Sequence, residues 1–443
     1  MAADRTDTIA AIATPPGAGG IGVIRLSGPE VPRIAARLFG RDPSPRHAHL
    51  ARFTDAAGEL IDTGLLIHFP APASFTGEHV LELQVHGSPA LLQRLLRELH
   101  HLGARAARAG EFSERAFLNG KLDLVQAEAI ADLIAAGSEA AARAAQRSLQ
   151  GEFSRRVHAL VEATIALRMR VEAAMDFSDE AIETLAPAAL NEAVGGLVDR
   201  LDALLAAACQ GQRLTDGLHV VLLGRPNAGK SSLLNALAAD DRAIVTARPG
   251  TTRDLLREVV RVDGVELTLV DTAGLRDSTD PIEQEGMRRA RAEAARADLI
   301  LSVLGEDDAP ACDEVPPGID RMVIHNKIDL SGEAPRLQRI DGIEHLYLSA
   351  RSGTGMNLLR ERLAARLVPA AEGGFSARAR HVEALQRAGR ELREARAALA
   401  HRDAPELAAE HLRQVQNALG EITGAFGAED LLGRIFANFC IGK

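Results

Sequence analysis

Tryptophan is absent from the 443 residues, tyrosine occurs once, and aromatics make up only 3% of the chain. Base-stacking platforms must therefore be few. Cysteine is equally scarce: Cys209, Cys312 and Cys440 lie too far apart for a zinc pattern and are too few for a disulfide framework. A reducing, cytoplasmic setting is the natural expectation. No apolar run approaches membrane-spanning length, and Met1-Ala2-Ala3-Asp4-Arg5 is no secretory signal, so no membrane partner is expected. Positive charge is in deficit, 51 Lys and Arg against 61 Asp and Glu, for a net charge of −10. That argues against a protein that coats nucleic acid, while a local basic face stays open. What remains is ample: 46% hydrophobic residues fill large cores, and the length suits roughly two to four domains.

Residues 1–120 read as a separate α/β domain. Thr8 to Ala13 and Ile21 to Leu26 are short β-like runs joined by Pro15-Pro16-Gly17-Ala18-Gly19-Gly20. Such a connection permits close backbone approach to a ligand, and it is also simply a tight loop. Val80 to Val85 is a further β-like stretch, followed by a helix over Ala90 to Leu99. Residues 121–214 are helical: an Ala-rich run from Val125 to Ala145, a periodic stretch from about Phe153, a break at Met175-Asp176-Phe177-Ser178, and a helix near Leu190 to Gly211. A bundle packed along its apolar stripes is the expectation. Residues 215–371 alternate strands and helices as a parallel-sheet nucleotide-binding domain does. Residues 372–443 return to helix. There Arg378, Arg380, Arg387, Arg390, Arg393 and Arg396 fit first a solvated face with interspersed Glu, with a nucleic-acid-facing surface as the alternative.

The chemistry is concentrated in the central segment. Gly224-Arg225-Pro226-Asn227-Ala228-Gly229-Lys230-Ser231-Ser232 follows the apolar run His219 to Leu223 and opens the helical run Leu233 to Leu237. This strand–loop–helix is the setting of a phosphate-binding P-loop, with backbone N–H groups turned on the phosphates at a helix N-terminus. Lys230 reaches the β- and γ-phosphates, and the Ser231 hydroxyl is placed for Mg²⁺. Downstream, Gly250-Thr251-Thr252-Arg253 suits a switch loop whose Thr252 completes the Mg²⁺ shell. Asp271-Thr272-Ala273-Gly274 closes a strand, its Asp for a metal-bound water and its Gly amide for the γ-phosphate. Asn326-Lys327-Ile328-Asp329 follows the strand Met322 to His325, and the Asp329 carboxylate accepts two N–H bonds that guanine offers and adenine does not. GTP is therefore the expected nucleotide. Ser349-Ala350-Arg351 backs the base. Leu275 stands where Ras-like enzymes carry the Gln that orients water. Asp277, Asp280, Glu283 and Glu285 are the acidic candidates for that task, and Arg253 and Arg276 are candidates for neutralising charge.

These motifs, with Ala13 to Gly28 (ATPPGAGGIGVIRLSG), Ser74 to Gly87 (SFTGEHVLELQVHG), Gly110 to Ala127 (GEFSERAFLNGKLDLVQA) and the terminal Cys-Ile-Gly-Lys, closely resemble the tRNA modification GTPase MnmE (TrmE) family over essentially the whole chain. The resemblance implies an N-terminal folate-binding-like α/β domain that dimerises, a helical domain built from 121–214 and 372–443, and an inserted Ras-like P-loop GTPase domain. It implies a homodimer working with a flavin-dependent MnmG-type partner as a heterotetramer, FAD entering only through that partner. Together they add an aminomethyl or carboxymethylaminomethyl group to C5 of a tRNA wobble uridine, with a one-carbon unit from a tetrahydrofolate (5-formyl or methylene form). Arg25, Glu82, Lys121 and the terminal Lys443 match the family's folate pocket, and Cys440 is a further candidate for a role in modification. The family uses K⁺ in place of an arginine finger; Asn227, Thr246, Arg248 and Thr251 match that site, and Glu283 matches its water-orienting Glu.

A ribosome-assembly-type switch GTPase is the alternative, since Leu after the Asp-Thr-Ala-Gly element is shared with such proteins. The folate-like motifs and the Cys-Ile-Gly-Lys terminus discriminate against it. A free-standing one-carbon transferase is disfavoured because the chain carries no dinucleotide fingerprint of its own.

Overall fold

Alternating apolar positions build one six-stranded sheet near the start of the chain, and a seven-stranded sheet in its centre forms around the near-continuous apolar runs of its middle strands, Leu218–Leu223 and Leu299–Leu304. The computed structural model describes residues 7–176, 187–225, 227–238, 256–262, 265–271, 292–295, 297–305, 319–366, 374–400, 405–425, 435–436, 439 and 442. Contacts divide the chain into two units. One comprises Met1–Ala131, Ser148–Asp202 and Glu383–Lys443, the other Asp132–Arg147 and Ala203–Val382. Among the described residues, no helix is long and apolar enough to cross a membrane.

In the first unit the strands are β1 Thr8–Ile12, β2 Gly19–Ser27, β3 His49–Thr54, β4 Leu60–Phe69, β5 Val80–Gly87 and β6 Ala104–Ala106. Their order is β3-β4-β5-β2-β1-β6, antiparallel throughout except for the β1–β6 pair. Period-two alternation sends Ile24, Leu26, Leu81, Leu83 and Val85 toward helices α1 Val31–Phe39 and α2 Pro89–His101, where Ile34, Leu95 and Leu99 complete the core. The alternate residues, Arg25 and Glu82 among them, take the opposite face. There helix α3 Glu111–Leu118 packs Phe112 on Ile9 and Ala11. The hairpin strands β3 and β4 escape the sequence reading because polar and apolar residues mix along them.

The helical run expected as one element from Val125 to Ala145 is two: α4 Leu124–Ala135 and α5 Glu139–Leu149. Gly137 and Ser138 interrupt it, and the Ser138 hydroxyl accepts the Ala141 N–H at 3.1 Å as an N-cap. Helices α6 Glu152–Asp176 and α7 Pro187–Asp216 follow.

The second unit holds β7 Leu218–Leu223, α8 Lys230–Ala238, β8 Leu256–Val262, β9 Val265–Asp271, β10 Leu299–Leu304, β11 Asp320–His325, the short helix α9 Ile328–Ser331, β12 Arg336–Ile340, β13 Ile343–Tyr347 and α10 Met356–Ala365. The sheet order is β12-β13-β11-β10-β7-β9-β8, with antiparallel pairing only at its two ends. The β8–β9 hairpin is legible around Asp263-Gly264. The β12–β13 hairpin was not expected, although Asp341 (φ 49°) and Gly342 (φ 82°) form the positive-φ pair that suits a type I′ turn. Leu222, Leu301, Ile324 and Leu346 form a core with Leu233 and Leu237 of α8 and Leu359 and Leu363 of α10.

The last helices are α11 Ala379–Ala400 and α12 Pro405–Thr423. In the first unit α12 packs along α6, and Arg168 donates to Gln416 at 2.9 Å. Ion pairs join Arg387 to Glu421 and Arg393 to Asp202, while in the second unit Arg378 pairs with Asp132 at 2.6 Å. Arg378, Arg387 and Arg393, three of the arginines singled out in this region, thus have carboxylate partners.

Candidate functional site

In the second sheet β7 lies between β9 and β10, so connections leave its C-terminal end in opposite directions. Open α/β sheets bind ligands at such a switch point. The loop from Gly224 starts there. A side chain at Gly224 (φ 153°) would overlap the Val303 carbonyl, so only glycine lets the loop leave β7 against β10. Asn227 takes a left-handed conformation (φ 66°) and Gly229 follows at φ 97°. Ala228 is buried. The α8 N-terminus then presents Lys230, Ser231 and Ser232, with both serines exposed. Free N–H groups and the positive end of the helix favour an anion there. Lys230 is only 6% exposed; its Nζ donates to the carbonyls of Gly224 at 2.8 Å and Arg225 at 3.2 Å, which holds the ammonium over the loop.

Asn326 rivets this loop to its neighbours. Its Nδ2 donates to the Ala228 carbonyl at 3.0 Å, and its Oδ1 accepts the Ala350 N–H at 3.0 Å. Gly229 leaves room for that amide, because a methyl there would strike Nδ2. Lys327 turns the chain in a left-handed conformation (φ 70°), and Asp329 reaches solvent. Ser349, fully buried, donates from Oγ to Asp329 Oδ1 at 2.6 Å and accepts the Ser352 N–H at 3.2 Å. One oxygen of Asp329 is therefore fixed. Ala350 is buried beside it and Arg351 is exposed. The arrangement is chemically suited to hold a base with two adjacent N–H donors against Asp329 while the phosphates lie on the α8 N-terminus.

Behind these loops is a feature that motif reading missed. The single tyrosine, Tyr347, stacks on His325 with centroids 4.1 Å apart and planes 5° from parallel. The Arg336 guanidinium lies 3.6 Å from the tyrosine ring centroid. His325 and His345 face each other through Nε2 and Nδ1 at 2.9 Å. Burial lowers the pKa of His325, helped by the nearby charges of His345 and Arg336. The stack joins the strand ends from which Asn326 and Ser349 depart. A lone tyrosine two residues before Ser349 was the only signal for it.

Asp271 ends β9 in register with Leu222 of β7, which brings its backbone beside the P-loop. Thr246, Arg248, Thr251, Thr252, Thr272, Ala273, Gly274 and Glu283 lie outside the described residues, as do Cys440 and Lys443.

A second polar cluster sits on the first sheet. Arg25 and Glu82 are register partners in β2 and β5, and Arg25 donates from Nε at 3.0 Å and from its terminal nitrogen at 2.8 Å to Glu82 Oε1. The Arg25 guanidinium lies 5.7 Å from the Phe75 ring centroid and 6.0 Å from that of Phe112. The loop carrying Phe75 is strapped down: Ser27 meets Thr76 and Glu78 at 2.7 Å each, Asn119 donates to the Thr76 carbonyl at 2.8 Å, and Lys121 Nζ donates to the Pro72 carbonyl at 3.3 Å. Gly442 lies close against the Ile12 carbonyl, and Ile12 pairs with Ile24, the neighbour of Arg25. Gly442 thus lies beside the end of β1. Arg25 and Glu82 thus pair beside Phe75, and Lys121 is tied to the loop that carries that ring.

A family model described as GTP-binding protein TrmE N-terminus matches residues 8–121, and one described as MnmE helical domain matches residues 124–440. The chain is 57% identical over 440 residues to the tRNA modification GTPase MnmE of Alkalilimnicola ehrlichii, covering 98% of this chain and 99% of that one. This chain belongs to the MnmE family. The MnmE of Methylococcus capsulatus is 54% identical over 449 residues and is matched over the full length of both chains. Among solved structures, the G domain of the T. maritima FeoB iron transporter matches over 33% of this chain and 97% of its own, at 24% identity and a TM-score of 0.26. The MnmE helical family model brackets the seven-stranded sheet, as expected of a nucleotide-binding domain inserted in a helical one.

Proposed function

We propose that this chain hydrolyses GTP as the GTPase subunit of a tRNA-modifying complex. The observation that carries the reading is the joined site of Lys230, Gly229, Asn326, Asp329 and Ser349 in a chain 57% identical to an MnmE. In this reading the N-terminal domain spans 1–120, the helical domain 121–214 with 372–443, and the G domain 215–371.

Asp329, with one oxygen held by Ser349, selects guanine. Asn227, Ala228, Gly229, Lys230, Ser231 and Ser232 take the phosphates, and Lys230 draws charge from the β–γ bridge as it breaks. The exposed Ser231 hydroxyl at the helix start fits Mg²⁺, with Thr252 as its second protein ligand. Asn227, whose left-handed turn brings it beside the phosphate loop, joins Thr246, Arg248 and Thr251 as the K⁺ site. Bound there, the two cations would neutralise phosphate charge that an arginine finger otherwise meets. Glu283 orients the attacking water, a task that Leu275 cannot perform.

On the first sheet Arg25, Glu82 and Lys121, with Lys443, hold a tetrahydrofolate derivative: a guanidinium and a carboxylate at fixed spacing beside Phe75 suit a flat, polar-edged ring. Cys440 lies on the same terminal segment. The complex is a homodimer joined by an MnmG-type flavoprotein that supplies FAD, acts on the wobble uridine of tRNA, and works in the cytoplasm.

Steady-state GTP hydrolysis in KCl and in NaCl at equal ionic strength tests the catalytic part. At least tenfold faster turnover in KCl is expected. Equal rates would remove K⁺ from the mechanism and return the charge-neutralising role to Arg253 or Arg276.

A further inference from the structure

Most arginines in the first unit are tied to carboxylates: Arg25 to Glu82, Arg94 to Asp55, Arg105 to Glu111, Arg115 to Glu78. The stretch from the end of α1 into β3 is different. It carries Arg37, Arg41, Arg46 and Arg52 with His47 and His49 against one acid, Asp42. Among the described residues none of these four arginines makes an ion pair with a carboxylate. In a chain of net charge −10, this is a local surface of opposite sign.

The arginines and rings here are ordered into a ladder. The Arg41 guanidinium stands 5.0 Å from the Phe39 ring centroid, Phe39 and His49 are 4.6 Å apart, and His49 and His47 are 6.4 Å apart. Arg46, in a left-handed turn (φ 58°), lies 5.9 Å from the Phe69 centroid and donates to the Ala73 carbonyl. The loop holds the imidazoles as well: His47 Nδ1 meets the Pro45 carbonyl at 2.9 Å and His49 Nε2 meets the Ser44 carbonyl at 3.2 Å. Those contacts make the bonded nitrogens N–H donors and leave the outer edge of His47 to solvent. Arg41, Arg46 and His47 are all exposed.

We infer that this α1–β3 surface is a contact site for RNA, taking backbone phosphates on Arg41 and Arg46 and an unstacked base against the His47 ring. Guanidinium and ring side by side, without a carboxylate, match the two chemistries of a single-stranded RNA segment. A protein partner of the same charge complementarity would need an acidic face and would make no use of the exposed ring. The proposal rests on the reading that tRNA is the substrate, and it names a surface where an acidic protein can meet it.

The test is the affinity of the full-length protein for a fluorescein-labelled anticodon stem-loop RNA between 50 and 200 mM KCl. Wild type is compared with Arg41→Ala/His47→Ala. Neither residue belongs to the GTP site, so GTP turnover should stay unchanged, which also reports on folding. The expected result is about tenfold weaker binding, with the log–log salt slope reduced by about one, the value for one lost phosphate contact. Wild-type affinity and slope in the variant would overturn the proposal. So would dissociation of the variant to a smaller species by mass photometry, since the surface would then be a protein interface. If wild type itself binds no RNA at any salt, the tRNA reading falls together with this one.

Discussion

Glu111 is 1% exposed at the start of α3, and burial alone would raise its pKa. Hydrogen bonds from Arg105 and the Arg108 N–H, with the charges of Arg105 and Arg115, outweigh that and bring it down from 4.5 to about 2. The Arg105 contacts measure 2.9 and 2.5 Å. Because the folded pKa lies below the unfolded one, the carboxylate contributes its full stability above about pH 4.5 and loses it as pH falls toward 2. Glu111→Gln leaves Arg105 and Arg115 short of a buried partner and should cost roughly 3–5 kcal/mol at pH 7. Thermal unfolding should show a gap between wild type and variant that is wide at pH 7 and much narrower at pH 3. A gap of equal width at both would contradict the account. At this scale the sequence was legible where chemistry dictates residue type: Lys230, Asn326 and Asp329 follow from what phosphate and guanine require. The bond from Ser349 to Asp329 and the clamp of Asn326 on Ala228 were not legible, because they join residues 20 and 98 positions apart. Nothing in either local pattern records such a meeting.

Helix α7 passes the segment around Phe375 at Gly211, where a methyl group would overlap the Phe375 carbonyl oxygen and press on the Ala377 amide. Glycine inside a helix costs about 1 kcal/mol relative to alanine, so Gly211→Ala should stabilise an isolated helix. Here the backbone contact dominates, since a rigid overlap of this kind costs typically 1–3 kcal/mol. The expected result is a lowered melting temperature for Gly211→Ala; a raised one would mean that the crossing is looser than described. Elements with one strong period, such as α6, β7 and β10, could be read from the chain. The single helix expected over Val125 to Ala145 could not hold, because Gly137 weakens it and Ser138 caps a new start. Strands β3, β4 and β12 were missed for the opposite reason: polar and apolar residues alternate irregularly along them, and β3 and β12 lie at sheet edges.

Across the whole molecule, two sheets carry two polar sites of different character. The P-loop sheet holds loops tied together by Asn326, and the first sheet holds Arg25 and Glu82 under a strapped loop. Both were approached in the sequence through glycine-rich motifs. Family resemblance, rather than periodicity or spacing, was needed to attach a one-carbon donor to the second. In the proposed function GTP turnover is coupled to the modification of tRNA, so removing Lys230 should abolish both. The most direct test is nucleoside mass spectrometry of tRNA from cells that lack the endogenous protein and carry either wild type or Lys230→Ala. The C5-modified wobble uridine should return with wild type and stay absent with the variant. Full modification with Lys230→Ala, alongside lost GTP hydrolysis, would contradict the coupling on which the account rests.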